Sequence, residues 1–372
     1  MAAARARRYP AAMSRLRKSE GRADEREATA ADVALGALLE RTEDLSAGVH
    51  VLVADDPGGR LARGVADAGG RVTPWWRMAA LDHGASAWPA LPDGVAAFDL
   101  ATLRLSKDKE AFELALHAVA SVLRPGGALL VYGANDEGIK SASKRVGAVF
   151  GPTETVETKR HCRVLRAVRP DDIPGLRPTL DDWARTVDLD FSTGPVPQRS
   201  YPGVFAKGGL DAGTAALLDA VPTPAPRARV LDFACGAGVI AGALRRREPT
   251  LDLQLIDADA IAAAAARHNV PGALIRVGAS WGALPAYQRY DLIASNPPIH
   301  TGKERDYGVL RRLVEGAPTR LNEGGEMWLV LQRQVPVEDD LWLRFDEVVC
   351  AWEDRRFRVW RAARPSDQLA NL

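Results

Sequence analysis

Cysteine is scarce in this chain of 372 residues, which has only Cys162, Cys235 and Cys350. Three widely spaced cysteines exclude a disulfide scaffold and a cysteine-rich zinc module, and they indicate a reducing compartment. No apolar run reaches the roughly 18 residues that a membrane-spanning helix needs. We therefore expect a cytoplasmic protein that binds no metal and no membrane, and among the possible oligomeric states we favour a monomer.

Excess charge is lacking as well, because 49 Lys and Arg residues oppose 48 Asp and Glu residues, for a net charge of +1. This balance excludes a protein that coats nucleic acid nonspecifically, but it allows local basic patches. Residues 1–19 hold six basic residues and no acidic one. Such a stretch is typical of a disordered tail or of an organellar transit peptide. Because acidic residues follow at once, we interpret residues 1–29 as a disordered cytoplasmic tail.

Two parts of the chain resemble one another. The first half contains AAFDLATL (96–103), LRPGGALLVYG (123–133) and CRVLRAVRP (162–170). The second half contains, in the same order, RYDLIASN (289–296), LNEGGEMWLVL (321–331) and FRVWRAARP (357–365). Three matches in one order indicate an internal duplication, and the chain length agrees with two domains of about 150 residues each.

Each copy alternates apolar strands with helices, which predicts a parallel sheet covered on both faces. In the second copy we expect helices at 237–247, 260–268 and 305–320, and strands at 229–233, 251–256, 273–277, 290–295 and 326–332. Two further strands, 346–352 and 356–362, are three residues apart and must form an antiparallel hairpin. This α/β layout is typical of class I methyltransferases, so we predict two tandem Rossmann-like domains of that class.

The predicted domain boundaries follow from the repeat and from composition. A degenerate, cofactor-free first domain spans 30–169, and the catalytic domain spans 204–366. Between them, residues 170–203 are rich in proline and contain two β-like runs, RTVDLDF and VPQRSYPGVF. We interpret this segment as a linker that forms a β arm.

A glycine-rich turn, VLDFACGAG (230–238), ends the first strand of the second copy. Gly236 and Gly238 let the backbone approach a ligand at a helix N-terminus, but their spacing fits a dinucleotide as well as S-adenosylmethionine. Asp232 separates the two cofactors, because a carboxylate here repels a pyrophosphate and attracts the ammonium and sulfonium groups of S-adenosylmethionine. We therefore predict S-adenosylmethionine, held by Asp232, Phe233, Ala234, Cys235, Gly236 and Gly238.

Two more strand ends complete the predicted cofactor site. Asp257, with Ala258, closes the next strand and is expected to accept the ribose hydroxyls, the alternative being a helix N-cap. After the third strand no carboxylate is available for the adenine amine, so we expect Ser280 or a backbone group of Ala279 there. Cys235 has no neighbouring base and is expected to pack as a small apolar residue, not to act as a nucleophile.

The segment Asn296-Pro297-Pro298 follows the fourth strand, at the edge where open α/β sheets bind ligands. Two prolines can serve simply as a strand terminator. A strand terminator does not need Asn in front of the two prolines. Methylation of an exocyclic amine does need an acceptor at that position. The Asn296 side-chain oxygen and the Pro297 carbonyl can hold both N–H groups of an exocyclic amine and direct its lone pair at the methyl group. These residues predict an amino-group methyltransferase.

Several segments resemble the family of ribosomal small-subunit guanine-N2 methyltransferases C: YPGVFAKGGLDAGTAALLDAV (201–221), VLDFACGAGVIA (230–241) and DLIASNPPIHTGK (291–303). The resemblance also includes LSKDKEAFELALHAVASVL and VYGANDEGIKSASK, and thus most of the chain after residue 30. It implies tandem methyltransferase-like domains of which only the second binds cofactor, and a guanine N2 amine in ribosomal RNA, free or in the assembling small subunit, as the target. It further implies that the cofactor is lined by Phe205, Asp211, Gly213 and Thr214, and the substrate by Ile299, His300 and Lys303.

Two positions depart from the pattern of that family. Ile299 stands where an aromatic residue usually stacks on the flipped-out base, so it offers only apolar contact. Ala234 stands where glycine is more common. His300 is retained, either as a turn residue or as a contact to a base or phosphate.

The first copy has VLVADDPGG (51–59) in place of the cofactor turn and LRLSK (103–107) in place of the Asn-Pro-Pro segment. We therefore predict that it binds no cofactor. Its basic residues either contact RNA or form a solvated surface: Arg104, Lys107, Lys109, Lys140, Lys144 and Arg145.

Three hypotheses follow. The first is methylation of a guanine N2 amine in ribosomal RNA. The second keeps the chemistry but changes the substrate to DNA adenine or a release-factor glutamine, since both of these enzyme classes also use an Asn-Pro-Pro turn. The third is an RNA-binding assembly factor that has lost turnover through Ile299.

Overall fold

The computed structural model describes residues 25, 28–41, 45, 48–80, 83–191, 194–204, 210–301, 304–305 and 307–366, without the side chains of 300–301 and 304–305. The basic stretch 1–19 lies outside these residues. The chain forms two compact units: the first holds the described residues up to Trp76 and Trp88–Trp183, and the second holds those of Arg77–Ala87 and those from Ala184 onward. The domain boundaries given above stay a prediction.

The first unit is an α/β sheet with helices. Its strands are β1 (His50–Ala54), β2 (Arg71–Trp75), β3 (Phe98–Arg104), β4 (Leu123–Ala134), β5 (Thr153–Lys159) and β6 (Cys162–Val168), and its helices are α1 (28–39), α2 (Arg60–Asp67), α3 (Lys109–Val122) and α4 (Ile139–Phe150). The sheet order is β2-β1-β3-β4-β6-β5, in which the first four strands are parallel and β6 pairs antiparallel with both β4 and β5. Apolar side chains on both faces of the sheet form the core, as expected for parallel strands.

The second unit repeats this plan with one more strand. A hairpin of β7 (Arg185–Phe191) and β8 (Gly194–Ser200) comes first, and the sheet strands are β9 (Arg229–Phe233), β10 (Asp252–Asp257), β11 (Leu274–Val277), β12 (Tyr290–Ser295), β15 (Leu321–Gln332), β16 (Phe345–Glu353) and β17 (Phe357–Pro365). The helices are α5 (Ala212–Ala220), α6 (Val239–Arg247), α7 (Ala260–Asn269), α8 (Gly308–Gly316) and α9 (Glu338–Trp342). The sheet order is β11-β10-β9-β12-β15-β17-β16, in which β17 pairs antiparallel with both β15 and β16.

The structure confirms the predicted class, tandem α/β sheets that each end in an antiparallel hairpin. The helix predicted at 305–320 is wrong at its start. Residues Glu304–Arg305 form strand β14, which pairs with β13 (His300–Thr301), so their backbone is used in a small hairpin and the helix begins at Gly308. A 3-10 turn, Ala317–Arg320, follows the helix.

One carboxylate brace occurs in both units and supports the duplication. Asp99 accepts the backbone N–H of His50 at 2.9 Å and Nε of Arg124 at 2.8 Å. Asp291, its counterpart, accepts the N–H of Arg229 at 2.7 Å and Nδ2 of Asn322 at 2.7 Å. In each unit the brace ties together the starts of three adjacent strands.

The Gly-Gly pairs of the repeat also share one backbone geometry. Gly126 and Gly324 both have φ of +74°, a conformation that favours glycine. A Cβ on Gly127 would lie 2.9 Å from the carbonyl oxygen of Asp99, and one on Gly325 would lie 2.8 Å from that of Tyr290. Both second glycines are therefore required by close backbone approach.

The β7–β8 hairpin is tied to the sheet helices by Asn269. Its Oδ1 accepts the N–H of Arg199 at 2.7 Å, and its Nδ2 donates to the carbonyls of Arg199 at 2.9 Å and Ala237 at 3.0 Å. Asn269 thus connects the hairpin to the glycine-rich turn after β9.

Candidate functional site

The glycine-rich turn after β9 has three residues in the left-handed region. Ala234, Gly236 and Gly238 have φ of +57°, +53° and +80°. A Cβ on Gly238 would lie 2.8 Å from Val270, whereas a Cβ on Gly236 would meet no atom within 4 Å. Gly238 is therefore required by packing, and Gly236 leaves an open face beside the helix N-terminus. The left-handed φ of Ala234 explains why glycine suits that position.

Asp232, at the end of β9, is fully buried. Its Oδ2 accepts the N–H of Ala241 at 3.1 Å, in the first turn of α6, and its Oδ1 has no hydrogen-bond partner among the described residues. Burial raises the pKa of Asp232 to about 7, and the charge of Asp257 adds to the increase. A buried carboxylate with one unsatisfied oxygen fits a cationic ligand that would complete its bonding.

Asp257, at the end of β10, is bonded to the same turn. Its Oδ2 accepts the N–H of Gly236 at 2.7 Å, and its Oδ1 accepts the N–H of Asp259 at 2.8 Å. Burial raises the pKa of Asp257 to about 6. The N-cap of α7 is Asp259, which accepts the N–H of Ile261 at 2.9 Å. The alternative that Asp257 serves as the helix cap is therefore wrong.

The residues after β11 already have partners within the chain. Ser280 caps a 3-10 turn by accepting the N–H of Gly282 at 3.3 Å, and the carbonyl of Ala279 accepts Nε of Arg312 at 3.1 Å. Trp281 donates to the carbonyl of Arg312 at 2.7 Å, and its ring lies 5.0 Å from that of Phe233. Sequence reasoning missed Trp281 and Arg312, which secure this loop.

Asn296 lies at the end of β12 beside the start of α5. Its Nδ2 lies 2.9 Å from Oδ2 of Asp211 and 2.9 Å from Oγ1 of Thr214. Asp211 is also the N-cap of α5 and accepts the N–H of Thr214 at 3.0 Å. Gly213 is buried between them, where a Cβ would meet Asp211 at 3.0 Å and Phe357 at 3.2 Å. With its amide nitrogen thus engaged, Asn296 keeps Oδ1 as an acceptor.

The two prolines differ in exposure, Pro297 being buried and Pro298 exposed. Ile299 is only 8% exposed and belongs to the same apolar cluster as Phe233. Ser295 donates to the carbonyl of Phe233 at 2.6 Å and joins β12 to the glycine-rich turn. Two predicted site residues, Phe205 and Lys303, lie outside the described residues, as does the side chain of His300.

Cys235 and Ala258 complete the predicted cofactor residues. Cys235 is 6% exposed and packs in an apolar cluster, and burial raises the pKa of its thiol. A neutral, buried thiol matches the predicted packing role. Ala258 is partly buried and follows Asp257 directly.

The first unit keeps part of the backbone conformation of this turn. Asp55 and Gly59 have φ of +51° and +60°, and they match Ala234 and Gly238 in position. The first copy has therefore retained two of the three left-handed positions, whereas the position of Gly236 is occupied by Pro57, whose ring excludes a positive φ.

The acidic residue of the turn stands at a different position in the first unit. Val53 stands where the second unit has Asp232, and Asp56 now accepts the first-turn N–H of its helix, from Ala62 at 3.0 Å. The first unit thus keeps a helix-capping carboxylate but has no acidic side chain at the end of its strand.

The predicted basic surface of the first unit needs one correction. Arg104 is 7% exposed, and both Glu137 oxygens accept from its Nη2, at 2.8 and 2.6 Å. It is therefore an internal ion pair and not part of a surface. The side chains that are exposed are Lys107, Lys109, Lys140 and Lys144, with Arg145 partly exposed.

Metal-binding clusters and membrane-spanning helices are both absent from the described residues. No group of three or more His, Cys, Asp or Glu side chains within them is placed to hold a metal ion. None of the helices they form is long and apolar enough to cross a membrane.

Comparison with known proteins finds two family matches and curated relatives. Residues 37–186 match the family described as "Methyltransferase small domain N-terminal", and residues 196–361 match "Methyltransferase small domain". Relatives named "Ribosomal RNA small subunit methyltransferase C" include one from Pseudomonas entomophila, 36% identical over 72% of this chain and 80% of the relative. Another, from Alcanivorax borkumensis, is 33% identical over 87% of this chain and 97% of the relative.

Among solved structures, a T. Thermophilus 16S rRNA N2 G1207 methyltransferase in complex with AdoMet and guanosine aligns with a TM-score of 0.76. The alignment covers 90% of this chain and 92% of that one, at 22% sequence identity. At this identity the likeness shows the fold.

Proposed function

The chain belongs to the ribosomal RNA small subunit methyltransferase C family, and from this premise we propose that it methylates the N2 amine of a guanine in small-subunit ribosomal RNA, with S-adenosylmethionine as the methyl donor. The observation that carries the proposal is the orientation of the Asn296 amide. Its nitrogen is engaged by Asp211 and Thr214, which leaves its oxygen to accept from a substrate amine.

The residues around the glycine-rich turn would hold the cofactor. Asp232 has an unsatisfied buried oxygen for a cationic group, and Gly236 has an open face over which a ligand can lie. Each carboxylate oxygen of Asp257 accepts one backbone N–H. Since a carboxylate oxygen can accept more than one hydrogen bond, Asp257 retains acceptor capacity for ribose hydroxyls. Ala258, Ala279 and Ser280 would line the adenosine portion.

When bound, S-adenosylmethionine supplies an electrophilic methyl group. The exocyclic amine of guanine is a poor nucleophile, because its lone pair is delocalised into the ring. Asn296 Oδ1 and the carbonyl of Pro297 would accept its two N–H groups and favour a pyramidal nitrogen with a directed lone pair. The two prolines make this turn rigid, so the acceptors are held in place before substrate arrives.

On the substrate side, the site has Ile299 where an aromatic residue would stack on the base. Because Ile299 is packed into the core cluster, we propose that it contacts the base through an apolar edge, with His300 and Lys303 as further substrate contacts. The names of the curated relatives support ribosomal RNA as the partner. The monomeric state and the cytoplasmic location stay predictions.

The proposal is tested by incubating the protein and labelled S-adenosylmethionine with undermethylated 30S subunits, naked ribosomal RNA, DNA and release factor. We expect label in the ribosomal RNA, recovered as N2-methylguanosine after nuclease digestion and mass spectrometry. Asn296→Ala should abolish the label while cofactor binding persists. Asn322→Ala is the matched control, since Asn322 bonds to Asp291 at the opposite end of the sheet.

Three outcomes would contradict the proposal. Label in DNA or in release factor would assign a different amine as the substrate. Label in ribosomal RNA as N6-methyladenosine would contradict the guanine assignment. Cofactor binding without transfer to any substrate would favour an RNA-binding assembly factor.

A further inference from the structure

A short segment from the first half of the sequence runs along the cofactor side of the second unit. Met78 and Asp259 form an antiparallel bridge. The N–H of Ala79 donates to the carbonyl of Ala258 at 2.8 Å, and the N–H of Ala260 donates to the carbonyl of Arg77 at 3.0 Å. These bonds lie on the loop that joins β10 to α7.

The side chain of Arg77 reinforces this pairing. Its Nε lies 3.0 Å from Oδ1 of Asp259 and its Nη2 lies 2.6 Å from Oδ2, a two-pronged ion pair. Its Nη1 donates to the carbonyl of Pro202 at 3.1 Å. Both side chains of the pair are 12% exposed, so solvent screens the pair only weakly.

A continuous series of contacts leads from Arg77 to the glycine-rich turn. Asp259, held by Arg77, donates its N–H to Asp257, and Asp257 accepts the N–H of Gly236. Asp259 also caps α7 through the N–H of Ile261. Moving Asp259 would therefore displace Asp257.

We propose that Arg77 is a positioning residue of the cofactor site, which through Asp259 holds Asp257 in the place where it accepts the ribose hydroxyls. The inference rests on the proposed function, because it assumes S-adenosylmethionine as the ligand of Asp257. It assigns a role in binding to a residue that lies 155 positions before Asp232 in the sequence.

The origin of the segment supports a specific role. In the second unit, a helix and a strand, α7 and β11, follow β10. In the first unit, the described residues between β2 and β3 contain neither, and part of that stretch, Arg77–Ala87, belongs to the second unit. The region in which the first copy departs from the repeat is thus the region that supplies Arg77.

The experiment compares Arg77→Ala and Arg77→Lys with the unmodified chain by calorimetric titration with S-adenosylmethionine. We expect Arg77→Ala to raise the dissociation constant by about 10-fold or more, as loss of charged hydrogen bonds does. Arg77→Lys should recover only part of the affinity, since an ammonium cannot bond both carboxylate oxygens in the geometry of a guanidinium. The matched control is Arg60→Ala, which removes a similar but exposed pair with Asp32 and should change affinity by less than about twofold.

Steady-state kinetics separate positioning from a general structural role. The KM for S-adenosylmethionine should rise in Arg77→Ala, whereas kcat at saturating cofactor and the KM for RNA should stay close to those of the unmodified chain. Unchanged affinity in both Arg77 variants, with normal binding by the unmodified chain, would overturn this inference and leave the proposed function intact. Failure of the unmodified chain to bind S-adenosylmethionine would overturn both.

Discussion

Asn296 Nδ2 lies 2.9 Å from Oδ2 of Asp211, and because an ionised carboxylate can only accept, this contact determines which end of the amide is the oxygen. The nitrogen of Asn296 is held on the α5 side. Its oxygen therefore remains as an acceptor. The orientation of the amide is thus built into the fold before any substrate binds.

The first prediction concerns this orientation. Asp211→Asn keeps a residue type that caps helices well, but its amide can also donate, so only Thr214 still requires the nitrogen of Asn296 on that side and the flipped amide becomes accessible. We expect kcat to fall by about 10- to 100-fold, as misplacement of a positioning group does, with a KM for S-adenosylmethionine within about threefold of normal. The measurement is methyl transfer to undermethylated 30S subunits at varied cofactor.

Thr214→Val should have a similar but smaller effect on kcat, because it removes one of the two acceptors. Thr179→Val serves as the control, since Thr179 bonds only to the exposed Asp182 in the first unit among the contacts described. An unchanged kcat in Asp211→Asn would show that the orientation of Asn296 does not limit the reaction.

The second prediction is a pH dependence of cofactor binding. The pKa of Asp257 is raised to about 6 and that of Asp232 to about 7, so both carboxyls are protonated at pH 5 and become ionised as the pH rises. A cation is attracted only by the ionised forms. Affinity for S-adenosylmethionine should therefore increase between pH 5.5 and 7.5, by up to about 10-fold per pH unit where one carboxyl must ionise.

Titration calorimetry in buffers of different ionisation enthalpy measures the accompanying proton release. Asp232→Asn should bind more weakly at pH 7.5 and lose the upper part of the pH dependence. Asp219→Asn, an exposed carboxyl on α5, should follow the unmodified curve. An affinity that is constant over this pH range would contradict direct contact between the cofactor's cationic groups and these carboxylates.

The third prediction contrasts the two glycines of the turn. Gly238→Ala combines φ of +80° with a Cβ 2.8 Å from Val270, so it should lower the free energy of unfolding by about 2–4 kcal/mol. Gly236→Ala has only the left-handed conformation to accommodate, at about 1–2 kcal/mol, but its methyl group enters the open face. We expect chemical denaturation to show the lower stability of Gly238→Ala, and cofactor titration to show weaker binding of S-adenosylmethionine by Gly236→Ala.

If Gly236→Ala bound S-adenosylmethionine as well as the unmodified chain, the ligand would not lie over this face. Gly175→Ala is a control for the backbone effect alone. It has φ of +75°, a Cβ there would meet no atom within 4 Å, and it belongs to the first unit.

The fourth prediction tests the duplicated carboxylate brace. Asp99→Ala and Asp291→Ala each remove the acceptor of one backbone N–H and one side chain. Each should lower the free energy of unfolding by about 1–3 kcal/mol, measured by urea denaturation, because the brace joins strand starts in the same way in both units. Since Asp291 lies at the start of β12 and Asn296 follows its end, and since Asp99 belongs to the first unit, kcat should be preserved in both variants at a temperature where they are folded. A loss of stability in only one of them would contradict equivalent roles.

Much of the fold could be predicted because its signals are local. The strand after Arg229 and the turn at Gly236 follow from apolar periodicity and from glycine spacing, which need only a few neighbouring residues. The role of Asp259 has a local signal too, a carboxylate just before an Ala-rich helix, but Asp257, two residues earlier, carries the same signal, and the sequence alone does not separate the two.

Other features depend on pairs that are distant in sequence. Arg77 and Asp259 are 182 residues apart, and no periodicity connects them. The sequence places Arg104 among the surface cations, because arginine is usually exposed. Glu137, 33 residues later, forms an ion pair with Arg104 that compensates its burial. Partner choice of this kind follows from the folded geometry and not from residue type.

The edge of the six-stranded sheet at β2 has a consequence for self-association. Arg71 donates its N–H to Val49, and the carbonyl of Trp75 accepts the N–H of Asp55, so these alternate residues point toward β1. Pro74, between them, points outward and has no N–H to offer. A strand from another molecule would find a missing donor at this edge. Among the described residues, the six-stranded sheet has no further strand beyond β2, where the seven-stranded sheet has β11. Pro74 therefore protects the β2 edge against the edge-to-edge aggregation to which an unpaired edge strand is prone.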